Sequence, residues 1–366
     1  MFDAERAAAL FSQTYEQARG KFLQAATAAG LGVDSITHPL TGRDGEALAL
    51  DVVSDATPRA GKLLIISSGC HGVEGFCGSP VQAMLIGDEP FRTACRDAHV
   101  SVLYLHALNP WGFSWWRRTT HENVDLNRNF LDFSQALPAN PGYDQLAPLL
   151  VPDHWPADAA NQAAIDHAIR TLGLPAVQAA VSGGQYHHPD GLFYGGVEAS
   201  WSNRQLRGLL RRHTLAHRRV AWIDLHSGLG PCGVGERILA APAEPATMAR
   251  ARRWWGDGLT SIAEGNSSSA PLEGLMWRVM VQECPAVEYT GIALEFGTVP
   301  LLTVLDALRG DQWLQNHADV ATPALAATIK QQLRDAFYVD SISWKQQVLA
   351  QSADAARQAV AGLATN

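Results

Sequence analysis

The chain has 366 residues, of which 47% are hydrophobic and 17% charged, enough apolar material for a substantial core and too much for a disordered chain. A formal charge of −8 and a pI near 5.9 leave no basic footprint, so nucleic acid is not an expected partner. Cys70, Cys77, Cys95, Cys232 and Cys284 fall at irregular spacings without a CxxC pair. They argue against a disulfide framework or a cysteine-based zinc site and fit a reducing, cytoplasmic compartment.

The N-terminal stretch MFDAERAAALFSQTYEQARGKF carries early acidic residues and no uninterrupted apolar segment, so it does not read as a secretion signal. Residues 3–29 repeat Ala, Leu, Phe and Tyr at three- and four-residue intervals, which predicts one amphipathic helix closed by Gly30. Two alternating runs, around Ile36 and at 47–53, flank the turn-forming TGRDGE and predict a hairpin. Four continuous apolar runs follow: KLLIISSG at 62–69, HVSVLYLHAL at 99–108, RVAWIDLHSG at 219–228 and YTGIALEFGT at 289–298. Such runs are strands buried on both faces. Helical patterns lie between them, at 78–86, 158–182, 199–216, 244–264 and 302–337, and a last Ala- and Gln-rich helix is expected at 341–363. The Pro- and Gly-rich segment 131–200 reads as an elaborated loop region, and the whole chain 1–366 as one catalytic domain. No stretch approaches the roughly 18–20 apolar residues that span a bilayer, so no membrane partner is expected. Strands alternating with helices predict an α/β sheet covered on both faces, with ligands gathering at the carboxyl ends of the strands.

The sharpest polar residues stand at those ends. In SSGCHGVEGFCGS, His71 and Glu74 are flanked by Gly69, Gly72 and Gly75, which let the backbone turn tightly enough for imidazole and carboxylate to converge. They read either as two ligands of a catalytic metal or as a loop ion pair. His226 in WIDLHSGLG is a third ligand candidate or a hydrogen-bonded structural histidine, with Asp224 pointing the same way by strand alternation. Glu295 ends the apolar IALEFGT, where a carboxylate is costly unless paired or functional; beside a metal it suits a general base. NPWGFSWWRRTTHENVDLNRNF concentrates Arg117, Arg118, Asn127 and Arg128 around Asp125. Arginine forks recognise carboxylates and stabilise a developing oxyanion, and Asp125 suits the carboxylate that orients a ligand histidine. Ser67, Ser68 and Ser227 also stand near strand ends, but no G-x-S-x-G elbow surrounds them.

The ordered set HGVE, NPWG…RR…VDLNRNF, DLHSG and ALEFGT resembles the zinc carboxypeptidase family, most closely its little-characterised bacterial branch of single-domain proteins. The resemblance spans residues 60 to 300. It implies a three-layer α/β/α sandwich with a mixed, mostly parallel central sheet, and Zn²⁺ held by His71, Glu74 and His226. It further implies Glu295 as general base, Asp125 behind the first ligand histidine, Asn127 and Arg128 on the substrate's terminal carboxylate, and Arg117 or Arg118 on the scissile carbonyl. Arg118 is favoured by its offset from NRN. The implied activity is hydrolysis of an amide beside a free carboxylate, in a peptide or small amide; the alternatives are a deacylase of N-acyl amino acids and, on the same fold, a non-catalytic binding protein. The insertion SGGQYHHPDGLFYGG departs from the family's digestive enzymes. Tyr186 and Tyr194 are expected to line the substrate pocket there, with His187 and His188 as a less favoured extra metal pair. Tyr289, the one tyrosine just upstream of Glu295, receives no role, and Met280 and Arg278 are both candidates for the side-chain pocket with nothing in the sequence to choose between them.

Overall fold

The structure is a computed structural model that describes residues 3–58 and 60–365; Met1 and Phe2 of the stretch read against a secretion signal lie outside the described residues. Eight strands form one sheet: β1 (Val33–Thr41), β2 (Ala47–Asp55), β3 (Lys62–Ser68), β4 (Val100–His106), β5 (Arg219–Gly228), β6 (Gly235–Leu239), β7 (Leu259–Thr260) and β8 (Glu288–Gly297). Their spatial order is β1-β2-β4-β3-β5-β8-β6-β7. The central strands β4, β3, β5 and β8 run parallel, whereas β1, β2 and β6 join by antiparallel pairing. All of β4 is buried, and so is all but the first residue of β3 and β5. Helices therefore cover both faces, and the expected α/β/α sandwich with its mixed, mostly parallel sheet is the observed one.

Several expected helices divide. Residues 3–29 form Ala4–Leu10 and Tyr15–Ala28, because Thr14 caps the second by accepting the Gln17 amide. The 158–182 pattern breaks at Gly173, which takes φ 85°, and 302–337 breaks before Thr322, which caps a new helix beginning at Pro323. Within 131–200 the structure places helices at Pro141–Leu150, Ala159–Leu172 and Leu174–Ser182, the last of which walls the site. Strand β6 and the edge strand β7 fall in segments that the sequence did not mark as strands. Among the described residues no helix is long and apolar enough to cross a membrane.

The core encloses a histidine with a measurable consequence. His106 ends β4, stacks on Phe22 at 4.4 Å between ring centroids and meets Ser79 Oγ at 2.9 Å. Burial pushes its pKa down to about 4. As pH falls below the ordinary value of about 6.5, the unfolded chain takes up a proton that the folded chain refuses, so stability is complete above that pH and drains away toward pH 4. Urea denaturation should show about 2 kcal/mol less stability at pH 5 than at pH 7 from this group, and His106→Gln should remove that part of the slope. An unchanged slope in the variant would refute the assignment.

Candidate metal centre and active site

The ligand loop begins where β3 ends. Residues Gly72–Glu74 form a single 3-10 turn that runs into the helix Gly75–Ile86. The turn is held from the next loop, where the carbonyls of Arg118 and Arg117 accept the Gly72 and Val73 amides at 3.1 and 2.8 Å. Only glycine fits at 72, since a Cβ there would overlap the backbone of Gly112 and Phe113. The supporting loop is itself bent: Trp116 and Asn123 take φ of 52° and 63°, left-handed values unusual for non-glycine residues, on either side of the two arginines.

This scaffold brings His71, Glu74 and His226 together, all three buried, with one ligand atom from each within 4.8 Å of the others. The two imidazoles meet the carboxylate through the same nitrogen: His71 Nδ1 lies 2.8 Å from Glu74 Oε1 and His226 Nδ1 lies 3.0 Å from Oε2. Their other nitrogens each face an aspartate. His71 Nε2 is 3.1 Å from Asp125 Oδ1, and His226 Nε2 is 2.5 Å from Asp224 Oδ2. A histidine that gives one nitrogen to a metal commonly donates the other N–H to a carboxylate, so this donor set fits a divalent cation. The guanidinium groups of Arg118 and Arg128 stand among the buried carboxyl groups Glu74, Asp125, Asp224 and Glu295. Burial disfavours a charged imidazole at His226, yet Asp224 and Glu74 outweigh it and hold its pKa well above the ordinary value. Burial likewise opposes ionisation of Glu74, but His71 and His226 hold its carboxyl below the usual range.

Glu295 stands directly beside His226 on the neighbouring strand β8, its Oε1 accepting the Leu229 amide at 2.9 Å. Burial first, and then the Glu74 charge, push its pKa up to about 8.

The two arginines separate. Arg118 reaches the cluster: Nε donates to Asp125 Oδ2 at 2.9 Å and Nη1 to Glu74 Oε1 at 3.2 Å, while Nη2 lies 2.8 Å from His71 Nε2. Arg117 turns away, donating to Asp311 Oδ2 at 2.9 Å and Asn123 Oδ1 at 3.1 Å, and takes no part in the wall of the cavity beside the cluster. Arg128 lines the cavity with three of its N–H groups on backbone carbonyls, two on Ser182 and one on Asn127, leaving one hydrogen on each terminal nitrogen. Burial lowers its pKa from the ordinary guanidinium value. Asn127 also lines the cavity and accepts the Met276 amide at 2.8 Å.

Tyr186 and Tyr194 do not reach the cavity, contrary to expectation. The Tyr186 hydroxyl donates to the Arg128 carbonyl at 2.8 Å, and the Tyr194 carbonyl accepts the Asp125 amide at 2.7 Å, so both brace the NRN turn from behind. His188 pairs with Asp144 at 2.9 Å, and neither it nor His187 joins a metal-ligating group among the described residues. Met280 and Arg278 stay outside, whereas Met276 and Trp277 line the cavity. Ser67 and Ser227 are occupied as donors to Asp224 and to the Phe337 carbonyl. Asp224 is the carboxylate that strand alternation could point out but not assign. The cavity itself, about 150 Å³, draws its walls from the helices Leu174–Ser182 and Leu301–Asn316 and from residues 262–277, none of which carried a motif.

Among solved structures the chain is similar to carboxypeptidase A from Helicoverpa armigera, at 11% identity over 88% of this chain and 74% of that one (TM-score 0.45). It is also similar to thrombin-activatable fibrinolysis inhibitor, at 12% identity over 83% and 76% (TM-score 0.47). A third similar structure is an aspartoacylase family protein from Mesorhizobium loti MAFF303099, at 16% identity over 78% and 66% (TM-score 0.37). Among curated proteins none matches the chain. One family, described as protein of unknown function (DUF2817), matches residues 11–351, and with nearly its whole length covered the chain belongs to that family.

Proposed function

We propose that the protein is a zinc-dependent hydrolase that cleaves an amide bond beside a free carboxylate. The observation that carries this reading is the paired arrangement of His71 and His226, each with Nδ1 on Glu74 and Nε2 on an aspartate, with the Glu295 carboxyl directly beside His226 on the neighbouring strand. When bound by His71, Glu74 and His226, zinc supplies Lewis acidity toward a carbonyl oxygen and toward water. Asp125 and Asp224 stand at the Nε2 atoms of His71 and His226 and would fix the orientation of the two rings. Glu295 takes a proton from the attacking water and returns it to the departing amine. Arg118, the guanidinium on the metal side of the cavity, is the donor for a developing oxyanion. Arg128 receives the substrate carboxylate on its two remaining hydrogens. Peptides and N-acyl amino acids both present an amide beside a carboxylate, and the same groups serve a carboxypeptidase or a deacylase.

The test is metal dependence across both substrate classes. Chelation should abolish hydrolysis of a dipeptide or N-acyl amino acid panel, zinc should restore it, and His71→Ala should lower bound zinc measured by mass spectrometry. Hydrolysis that persists in fully metal-free protein would overturn the proposal.

A further inference from the structure

Three strands lie side by side under the cavity, and their register defines rows. In the first row His226 of β5 faces Glu295 of β8. In the second, Asp224 faces Ala293, which faces Ile238 of β6. In the third, Trp222 faces Gly291, whose carbonyl accepts the Ala240 amide at 2.9 Å. Alternate residues of a strand share a face, so Trp222, Asp224 and His226 line one cavity with Ala293, Glu295, Ile238 and Ala240. The two rows beyond Glu295 extend about 13 Å along the sheet.

The floor of those rows is low because Ala293, Gly291 and Ala240 are small. It is closed by Tyr289, whose side chain turns back over Gly291 and donates its hydroxyl to the Ala240 carbonyl at 2.6 Å; a Cβ on Gly291 would overlap that hydroxyl. Tyr289, unassigned by sequence, is therefore a pocket wall with its polar end satisfied. Beyond the proposed metal ligands, Glu295 and the two arginines, the one charged side chain lining the cavity among the described residues is Asp224. Both of its oxygens are committed, Oδ1 to Ser67 and Oδ2 to His226. An anionic substituent would find no cation along these rows and would lose its hydration uncompensated, and a cationic one would meet only a carboxylate already engaged by Ser67 and His226. Most of the remaining wall is apolar, from Val177, Val181, Met276 and Leu305, while its polar members Gln178, Ser182 and Ser269 already donate to backbone carbonyls; at the mouth Leu174 and Leu302 stay 38% and 46% exposed.

We propose that this slot takes an uncharged, apolar substituent of the substrate, its depth set by Tyr289 and Trp222. The proposal rests on the hydrolase reading above and names its substrate class. The substituent is either the side chain of the carboxylate-bearing residue or an acyl chain on the other side of the amide, and the two arms of one substrate series distinguish them. In the first arm an acetylated amino acid carries Gly, Ala, Leu, Phe, Lys or Glu; in the second, glycine carries acyl chains from acetyl to octanoyl. The expected result is a rise in kcat/KM of at least about 10-fold from the smallest to the large apolar members of one arm, with Lys and Glu disfavoured if the first arm responds. Ala293→Leu, which fills the floor, should narrow the ratio between large and small substrates.

A binding assay separates the two proposals. Trp222 and Trp277 line the cavity, so quenching of tryptophan fluorescence by leucine, phenylalanine or octanoate, against lysine and glutamate, reads occupancy without turnover. Apolar ligands that bind while no amide is cleaved would leave the slot standing and remove the hydrolase reading. Turnover without apolar preference in either arm would overturn the slot and leave the hydrolase.

Discussion

Replacing Glu295 with glutamine is expected to lower amide hydrolysis by about 10²–10⁴-fold, the usual contribution of a positioned general base, while zinc content stays at the wild-type level. Glutamine keeps the shape and can still accept the Leu229 amide through its carbonyl oxygen, so the ring of contacts around the cluster survives. Stability gives a second readout with a definite sign. The folded-state pKa of Glu295 is raised to about 8 by burial and by the Glu74 charge. The folded chain therefore holds this proton more tightly than the unfolded one, and the group costs stability progressively as pH rises from about 4.5 toward 8. In metal-free protein at pH 8, Glu295→Gln should melt higher than wild type. Loss of activity with a gain in stability cannot come from misfolding; near-wild-type turnover in this variant would sink the mechanism.

The second large effect is expected at Arg128. Arg128→Met should reduce kcat/KM for substrates with a free carboxylate by about 10²–10³-fold, the loss that follows when a buried charge pair loses one partner. On substrates whose carboxylate is blocked as an amide, variant and wild type should converge. The methionine also strands the Ser182 and Asn127 carbonyls, which accept from Arg128, and an orphaned buried acceptor costs about 1–3 kcal/mol. Arg128→Lys is the companion variant, retaining charge without the fork. An equal loss on free and blocked substrates would show that Arg128 acts on the fold rather than on the carboxylate.

How much of this was legible in the sequence depended on how local the signal was. Strands buried on both faces are continuous apolar runs, so β3, β4, β5 and β8 stood out, and with them the strand-end positions of His71, His226 and Glu295. The breaks in the helices were hidden because apolar spacing continues across Thr14 and across Gly173, where a cap or a positive φ decides instead. Strand β6, with Glu236 and Arg237 inside GERIL, lacks any apolar run and forms only because β8 offers it an edge. Which of Arg117 and Arg118 enters the site is settled by Asp311, 194 residues further on, which takes Arg117. Tyr186 and Tyr194 misled for a related reason. An aromatic near a catalytic motif serves equally to line a pocket or to prop the backbone behind it, and only the destination of the hydroxyl and carbonyl distinguishes the two.

The pairing of β5 with β3 and β8 has a kinetic side. Glu74 and His226 are 152 residues apart, so the centre exists only after a long loop has closed and the parallel centre of the sheet has formed, a slow and non-local event. A ribosome adding about 5–20 residues per second delivers His71 and Glu74 first, His226 many seconds later and Glu295 last. A growing chain thus offers a metal only two ligands while the 152 residues from Glu74 on to His226 are added. On the function proposed above, tight metal capture would wait for β5 to dock beside β3, and hydrolytic competence for β8 to dock beside β5.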